Sequence, residues 1–236
     1  MALGSLSSYL GSVRVLGIET STSQAGVALL EGGGKLVLER ASARPKQSAE
    51  RLLPLIAALL AEAGWPASSL DRIGVSIGPG SFTGLRVGIA CAQGLSLGLG
   101  IPLVGVTSLR AMARAVPETL PGLRVPVLDA RRAEVFAGAY EAGPRAAERL
   151  APFAVAAELA AERLRAELPE PLVWVGSGLT LCGLQTAAAS GADEPSAFWV
   201  GLLAEELEPS EHPPVPVYVR DAGATLPDLG TPAVTE

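Results

Sequence analysis

The feature that most restricts this 236-residue chain is the stretch from Val87 to Val106, which carries no charged side chain. A run of that length can cross a bilayer or be buried inside a folded domain. Five glycines (88, 94, 98, 100 and 105), Gln93, Ser96 and the helix-stopping Pro102 interrupt it. A helix followed by a buried strand therefore explains the run better than a membrane span does. Hydrophobic residues make up 49% of the chain and charged residues 18%, a balance that predicts a packed core rather than disorder. The length admits one large domain or two small ones. Residues 1–12 have no basic start of a secretory signal and read as a disordered extension, so a soluble cytoplasmic protein without a membrane association is expected.

The rest of the chain repeats the same alternation. Buried-strand runs are predicted at Val13–Glu19, Ala25–Glu31 and Lys35–Arg40, the first two joined by the polar turn Thr20 to Gln24. A helix fits Ser48–Ala63, with apolar positions at Leu52, Leu53, Leu55, Ile56, Leu59 and Leu60. That set is wider than one stripe and predicts packing on two sides, while Pro54 predicts a start or bend near it. Arg72–Ile77 reads as a strand, Gly84–Leu99 as a helix and Leu103–Val106 as a strand. In the second half, Val125–Leu128, Glu134–Tyr140 and Leu172–Val175 read as strands, and Ala156–Ala166 and Ala197–Leu207 as helices. The order predicts an α/β fold, with sheets covered by helices. Proline is dense from Glu208, and residues 222–236 read as a flexible tail.

Charge and composition remove several function classes. The net charge is −6, from 18 Lys+Arg and 24 Asp+Glu, which argues against a free-standing nucleic-acid binder. The single histidine, His212, excludes most His-dependent catalysis and metal chemistry. Cys91 and Cys182 support neither a disulfide framework nor a zinc site.

Three segments could carry chemistry. The loop Gly78-Pro79-Gly80-Ser81-Phe82-Thr83-Gly84-Leu85-Arg86 lies between a strand and a helix, where backbone N–H groups could cradle an anion. It has neither the Walker lysine nor the G-x-G-x-x-G spacing. The alternative is a tight turn whose Gly84, Gly88 and Ala92 leave a bare helix face for another backbone. Glu19-Thr20-Ser21-Thr22-Ser23 could hold magnesium and phosphate oxygens, or form an ordinary hydroxyl-rich turn. Asp129, Arg131 and Arg132 could contact a ligand or a partner's carboxylate, or form a solvated ion-pair network. Ser81 and Thr83 have no visible base to activate them, since His212 is remote and only Lys35 and Lys46 remain.

The run from Val15 to Ser21, the segment Ser48 to Pro54 and the Gly78–Arg86 string closely resemble the TsaB (YeaZ) family. So do Val106-Thr107-Ser108-Leu109, the segment Asp129 to Gly138, and Pro216-Val217-Tyr218-Val219-Arg220. The resemblance runs from about residue 13 to 221, in the family's order. It implies an actin/Hsp70-like (ASKHA, ribonuclease H-like) fold of two lobes, here 13–108 with the partner-binding helices and 109–221.

The implied role is that of a non-catalytic subunit of the assembly forming N6-threonylcarbamoyladenosine beside the anticodon of tRNAs that read codons starting with A. Implied partners are a catalytic TsaD-type paralogue in a heterodimer and a TsaE-type small ATPase, with a homodimer when alone and tRNA reached indirectly. ATP or ADP and metal are expected in the partners, with no cofactor or metal of this chain's own. The paralogue's metal-binding H-x-x-x-H run corresponds to Ser108 and Met112 here, which are not ligands. Gln47 stands where histidine is common. Helical spacing places the expected interface at Leu52, Leu53, Ile56, Leu59, Leu60, Gly84, Val87, Gly88 and Cys91. Glu19, Thr20, Ser21, Gly80, Ser81 and Thr83 would form a vestigial phosphate site. The alternative from another class is an autonomous ATPase or sugar-kinase-like enzyme of the same superfold, and an older family reading is an M22-type peptidase.

Overall fold

The computed structural model describes residues 12–23, 25–42, 48–186 and 192–219. Lys46, Gln47, Arg220, all of the 1–12 extension but Ser12, and the 222–236 tail lie outside the described residues. Two mixed sheets organise the rest. In the first, β2 (Gly26–Glu31) pairs antiparallel with both β1 (Arg14–Glu19) and β3 (Lys35–Ala41). Strands β4 (Arg72–Gly78) and β5 (Leu103–Thr107) continue in parallel beyond β1, giving the order β3-β2-β1-β4-β5.

Both faces of this sheet are covered, which is why its central strands read as continuous apolar runs. Leu16, Ile18, Val27, Leu29, Ile73 and Val75 pack with Leu52, Ile56 and Leu59 of α1 (Ser48–Glu62) and with Leu85 and Ile89 of α2 (Phe82–Leu99). Val15, Ala28, Leu30, Val104 and Val106 pack on the other side with Val200, Leu203 and Ala204 of α5 (Ala197–Glu206). Gly17 and Gly74 are side-by-side partners in β1 and β4. A Cβ at Gly17 would stand 2.1 Å from the Ala197 carbonyl oxygen, and one at Gly74 2.8 Å from that of Val200. The two glycines thus form a trench that seats α5. Because α5 belongs to the second half of the chain, the 109–221 span contributes a layer to the first lobe.

The second sheet has the order β8-β7-β6-β9. Its strands β6 (Leu123–Arg131), β7 (Glu134–Tyr140) and β8 (Glu148–Ala156) are antiparallel, and β9 (Leu172–Val175) lies parallel to β6. α4 (Ala157–Glu167) covers one face through Ala157, Ala160 and Leu164. On the other face Leu109, Met112 and Ala113 of α3 (Ser108–Arg114) pack with Leu128, Phe136 and Tyr140. α3 also contacts α5, so this short helix sits between the two sheets.

Neither α3 nor β8 was expected from the letters. Seven residues are too few to display a helical period, and Pro152 argues against a strand. β8 accommodates Pro152 because it is an edge strand. α1 runs on through Pro54, which lies exposed, so no helix start occurs there. α2 begins at Phe82, where Ser81 Oγ caps it by accepting from Gly84 N at 3.2 Å. The uncharged run resolves into α2, a turn with Gly100 at φ 68° followed by Pro102, and β5. By length and composition α2 could cross a membrane; here Gly84, Leu85, Gly88, Ile89 and Ala92 form its buried face.

After α5 an extended Pro-rich strap returns to the first sheet. Gly105 N donates to His212 O at 2.8 Å, and Val217 N donates to Ile77 O at 2.7 Å.

Gly17→Ala should lower the unfolding free energy by about 2–3 kcal/mol, because backbone rather than a movable side chain meets the new methyl group. Gly94→Ala, on α2 with nothing within 4 Å of its Cβ, should instead raise it by about 0.5–1 kcal/mol. Urea unfolding of the two variants beside the parent checks both signs.

Candidate functional site

A cavity of about 490 Å³ opens between the two sheets. Ser21, Thr22 and Ser23 after β1 line one side, with Gly80 and Ser81 before α2. Asp129 and Arg131 at the end of β6, together with Phe136, line the other. All three segments singled out in the sequence therefore meet at one cleft, although more than a hundred residues separate the first from the last. Ser177 and Glu194 complete the lining and were not anticipated. The available signal was Gly176-Ser177-Gly178, which follows β9 much as Gly80-Ser81 follows β4. Ser177 Oγ is buried beside the Glu194 carboxyl.

The glycines of the Gly78–Arg86 loop serve backbone proximity. A Cβ at Gly80 would lie 2.2 Å from Ser21 O, one at Gly84 2.1 Å from Thr20 O, and one at Gly88 2.1 Å from Thr20 Oγ1. Ser81 N donates to Ser21 O at 2.6 Å. Two N–H groups of the supposed anion cradle, those of Ser81 and Gly84, are thus already engaged. Thr83 is exposed and lies outside the cleft lining, and Thr20 is buried against α2. The bare face at Gly84 and Gly88 is accordingly filled by this chain's own Thr20.

Glu19 is the electrostatic centre of the β1 end. It is 2% exposed, it accepts from Ser21 N through Oε1, and among the described residues neither its Oε2 nor Thr20 Oγ1 has a hydrogen-bond partner. Burial raises its pKa from 4.5 to about 7, only partly offset by hydrogen bonds from Ser21 and Ser76. The carboxyl lines a second cavity of about 350 Å³, with Glu39, Glu194 and Ser196.

Across the cleft the β6–β7 turn is strained. Arg131, Arg132 and Ala133 have φ values of 67°, 56° and 58°, three consecutive left-handed residues without a glycine. Asp129 braces the turn: Oδ1 accepts from Arg131 N at 2.7 Å, and Oδ2 pairs with Arg131 Nη1 at 3.3 Å. Arg132 is exposed and does not line the cleft. Among the described residues no three His, Cys, Asp or Glu side chains are placed to hold a metal ion. Hydroxyls and one carboxylate–guanidinium pair equip the cleft to bind a polar group, and no base touches Ser81.

The expected interface set divides by exposure. Leu52, Ile56, Leu59, Leu60, Gly84 and Gly88 are buried in the chain's own core, because they face the first sheet, and cannot be reached by a partner. Leu53 is 56% exposed, and Val87 and Cys91 are half-buried. The exposed apolar positions of the helix pair are Leu53 and Ala57 on α1 and Ala90, Gly94 and Leu97 on α2, with Leu97 86% exposed, and the charged Arg51, Glu62 and Arg86 are exposed on the same helices. Ser108 and Met112 are wholly buried on α3.

The raised Glu19 pKa fixes a sign. The folded state holds the proton more tightly than the unfolded state, so stability falls as pH rises from about 4.5 to about 7 and is level above that. The loss approaches about 3 kcal/mol, at about 1.4 kcal/mol per pKa unit. Glu19→Gln should abolish this slope and be the more stable form at pH 8, as read from denaturation midpoints at pH 5 and pH 8. An unchanged slope would assign the pH dependence elsewhere.

Comparison with known proteins follows the same lines. Residues 39–197 match the model of the family described as TsaD: tRNA N6-adenosine threonylcarbamoyltransferase. The chain is 35% identical over 130 residues to the tRNA threonylcarbamoyladenosine biosynthesis protein TsaB of Escherichia coli, which is 55% of each chain. It thus spans about half the length of the curated relatives it matches. Two solved structures from Pseudomonas aeruginosa are matched almost end to end. One, a protein with similarity to peptidase YEAZ, has a TM-score of 0.71 and 31% identity, covering 88% of this chain and all of that one. YeaZ itself has a TM-score of 0.68 and 30% identity, covering 87% and 99%. Matched over nearly the whole length of YeaZ at 30% identity, and by the family model over residues 39–197, the chain belongs to the TsaB (YeaZ) family and has its actin/Hsp70-like fold.

Proposed function

We propose that this chain is a non-catalytic subunit of a cytoplasmic assembly that forms N6-threonylcarbamoyladenosine on tRNA, and that it works by binding and supporting a TsaD-type catalytic paralogue. The observation that carries this reading is the near-complete structural match to YeaZ, together with the role in tRNA threonylcarbamoyladenosine biosynthesis that the TsaB relatives' name carries. Two local features support it. Ser108 and Met112, which the family resemblance sets at the positions of the paralogue's metal-binding histidines, are buried residues of α3. The loop before α2 spends its Ser81 and Gly84 N–H groups on the chain itself. Nucleotide and metal are then assigned to the partners, and tRNA is reached through them, in keeping with the net charge of −6.

The contact surface in this reading is the outer face of α1 and α2. Leu53, Ala57, Ala90, Gly94 and Leu97 make up its apolar part, beside the exposed Arg51, Glu62 and Arg86, and among the described residues Leu53 and Leu97 are left largely uncovered. The same face would pair two copies when no paralogue is present, and a TsaE-type ATPase would join the assembled pair.

Leu53→Glu and Leu97→Glu should weaken the complex with a TsaD-type protein by about tenfold or more, since each sets a charge into a desolvated contact. Both side chains are exposed, so the fold is expected to survive. Size-exclusion chromatography of the mixture, with reconstituted tRNA modification as the second readout, checks this. Stoichiometric complex with both variants would move the interface elsewhere, and ATP turnover by the isolated chain would favour the kinase-like alternative.

A further inference from the structure

A third cavity, of about 550 Å³, shares no lining residue with the interlobe cleft. Its outer wall is the strap, through His212, Pro213 and Val217, and its inner wall includes Ile77 and Arg110. The size is in the range of small-molecule sites.

Arg110 is the distinctive group. Its Nε donates to Arg145 O at 2.6 Å and to Ala146 O at 3.1 Å, which fixes the guanidinium plane. Nη1 and Nη2 make no hydrogen bond or ion pair among the described residues. An oriented guanidinium with both outer arms unused, in a half-buried position, is a bidentate receptor for a planar anion. Two carboxylates, Glu148 and Glu211, also line the cavity; among the described residues neither forms an ion pair with Arg110 within 4 Å, although the charges of Glu148 and of Glu206 act on the guanidinium. Their charge penalises a dianion more than a monoanion. Burial, and then the charge of Arg110, lower the His212 pKa, so the imidazole is neutral at pH 7 and adds no second cation. The proline and aliphatic side chains of the strap offer apolar area to a short hydrocarbon body.

From these features we propose that the strap cavity is a binding site for a small organic monocarboxylate, held by Arg110 Nη1 and Nη2 with its apolar portion against Ile77, Pro213 and Val217. Occupancy ties α3 to the strap, whose Tyr218 stacks on Phe82 at 5.3 Å and accepts from Arg86 Nε at 3.2 Å at the start of α2. The site is independent of the assembly role proposed above.

Butyrate is a suitable probe, with acetate and inorganic phosphate for comparison. In amide NMR of the full chain, the Gly105 and Val217 signals report the strap directly, because both N–H groups belong to its anchoring bonds. Butyrate should give saturable shifts there and bind at least about threefold tighter than acetate or phosphate. Arg110→Gln should weaken butyrate by about tenfold or more. Glu148→Gln, on an exposed side chain, should tighten it by about two- to threefold. Phosphate binding as tightly as butyrate would overturn the monocarboxylate assignment, as would shifts that never saturate. If Arg110→Gln fails to fold, Glu148→Gln decides: unchanged butyrate affinity in that variant overturns the proposal.

Discussion

The seating of α5 in the Gly17–Gly74 trench is the contact on which the rest of the architecture depends. Without side chains on those two strand positions, the helix backbone comes within van der Waals distance of the sheet, as the 2.1 Å approach of a hypothetical Gly17 Cβ shows. The chain has by then built its second sheet, so docking α5 draws the end of the second lobe back onto the first. The half-buried pair Arg114–Glu206, at 3.1 Å, then links α3 to α5, and Glu206 Oε2 also accepts from Arg145 N at 2.8 Å in the β7–β8 loop. Such a pair contributes more to holding an orientation than to net stability, since its desolvation offsets much of its attraction. The position of α3 between the sheets, and with it the width of the cleft, follows from this docking.

Glycine solves the same problem a second time at the cleft. Gly80, Gly84 and Gly88 let the Thr20–Ser21 backbone lie against the first turns of α2, and that contact buries Glu19. A carboxyl buried there holds its proton up to near neutrality, a cost in stability that the surrounding packing must offset. The opposite wall carries its own cost in three left-handed residues braced by Asp129. Strain and buried charge on both sides of one polar cavity are what distinguish this place from the remainder of the sheet surfaces.

Most elements were readable because their patterns are local. The strands of the first sheet appear as apolar runs because both faces are covered, and the ends of α2 are set by Ser81 and by Gly100 in the left-handed region. The two omissions have local causes as well. α3 is shorter than the window in which a period can be recognised, and β8 contains a proline that only an edge position tolerates. The site was legible as three separate motifs. Ser177 and Glu194 were not, because Gly176-Ser177-Gly178 is too short to stand out beside the Gly78–Arg86 string and one glutamate before a helix carries no pattern of its own.

The sequence by itself determined the order of most elements, the poverty in histidine and the motif string that marks the family, since all of these are properties of residue type and short spacing. Tertiary structure alone decided which side of each apolar helix is core. Leu52, Ile56 and Leu59 are equal to Leu53 in hydrophobicity, but only the position of the sheet turns the first three inward and leaves Leu53 outside. It also decided the destination of the loop glycines and the orientation of Arg110, because both are set by backbone atoms from distant parts of the chain. Helical periodicity can identify a face, but what covers that face is settled only when the layers assemble.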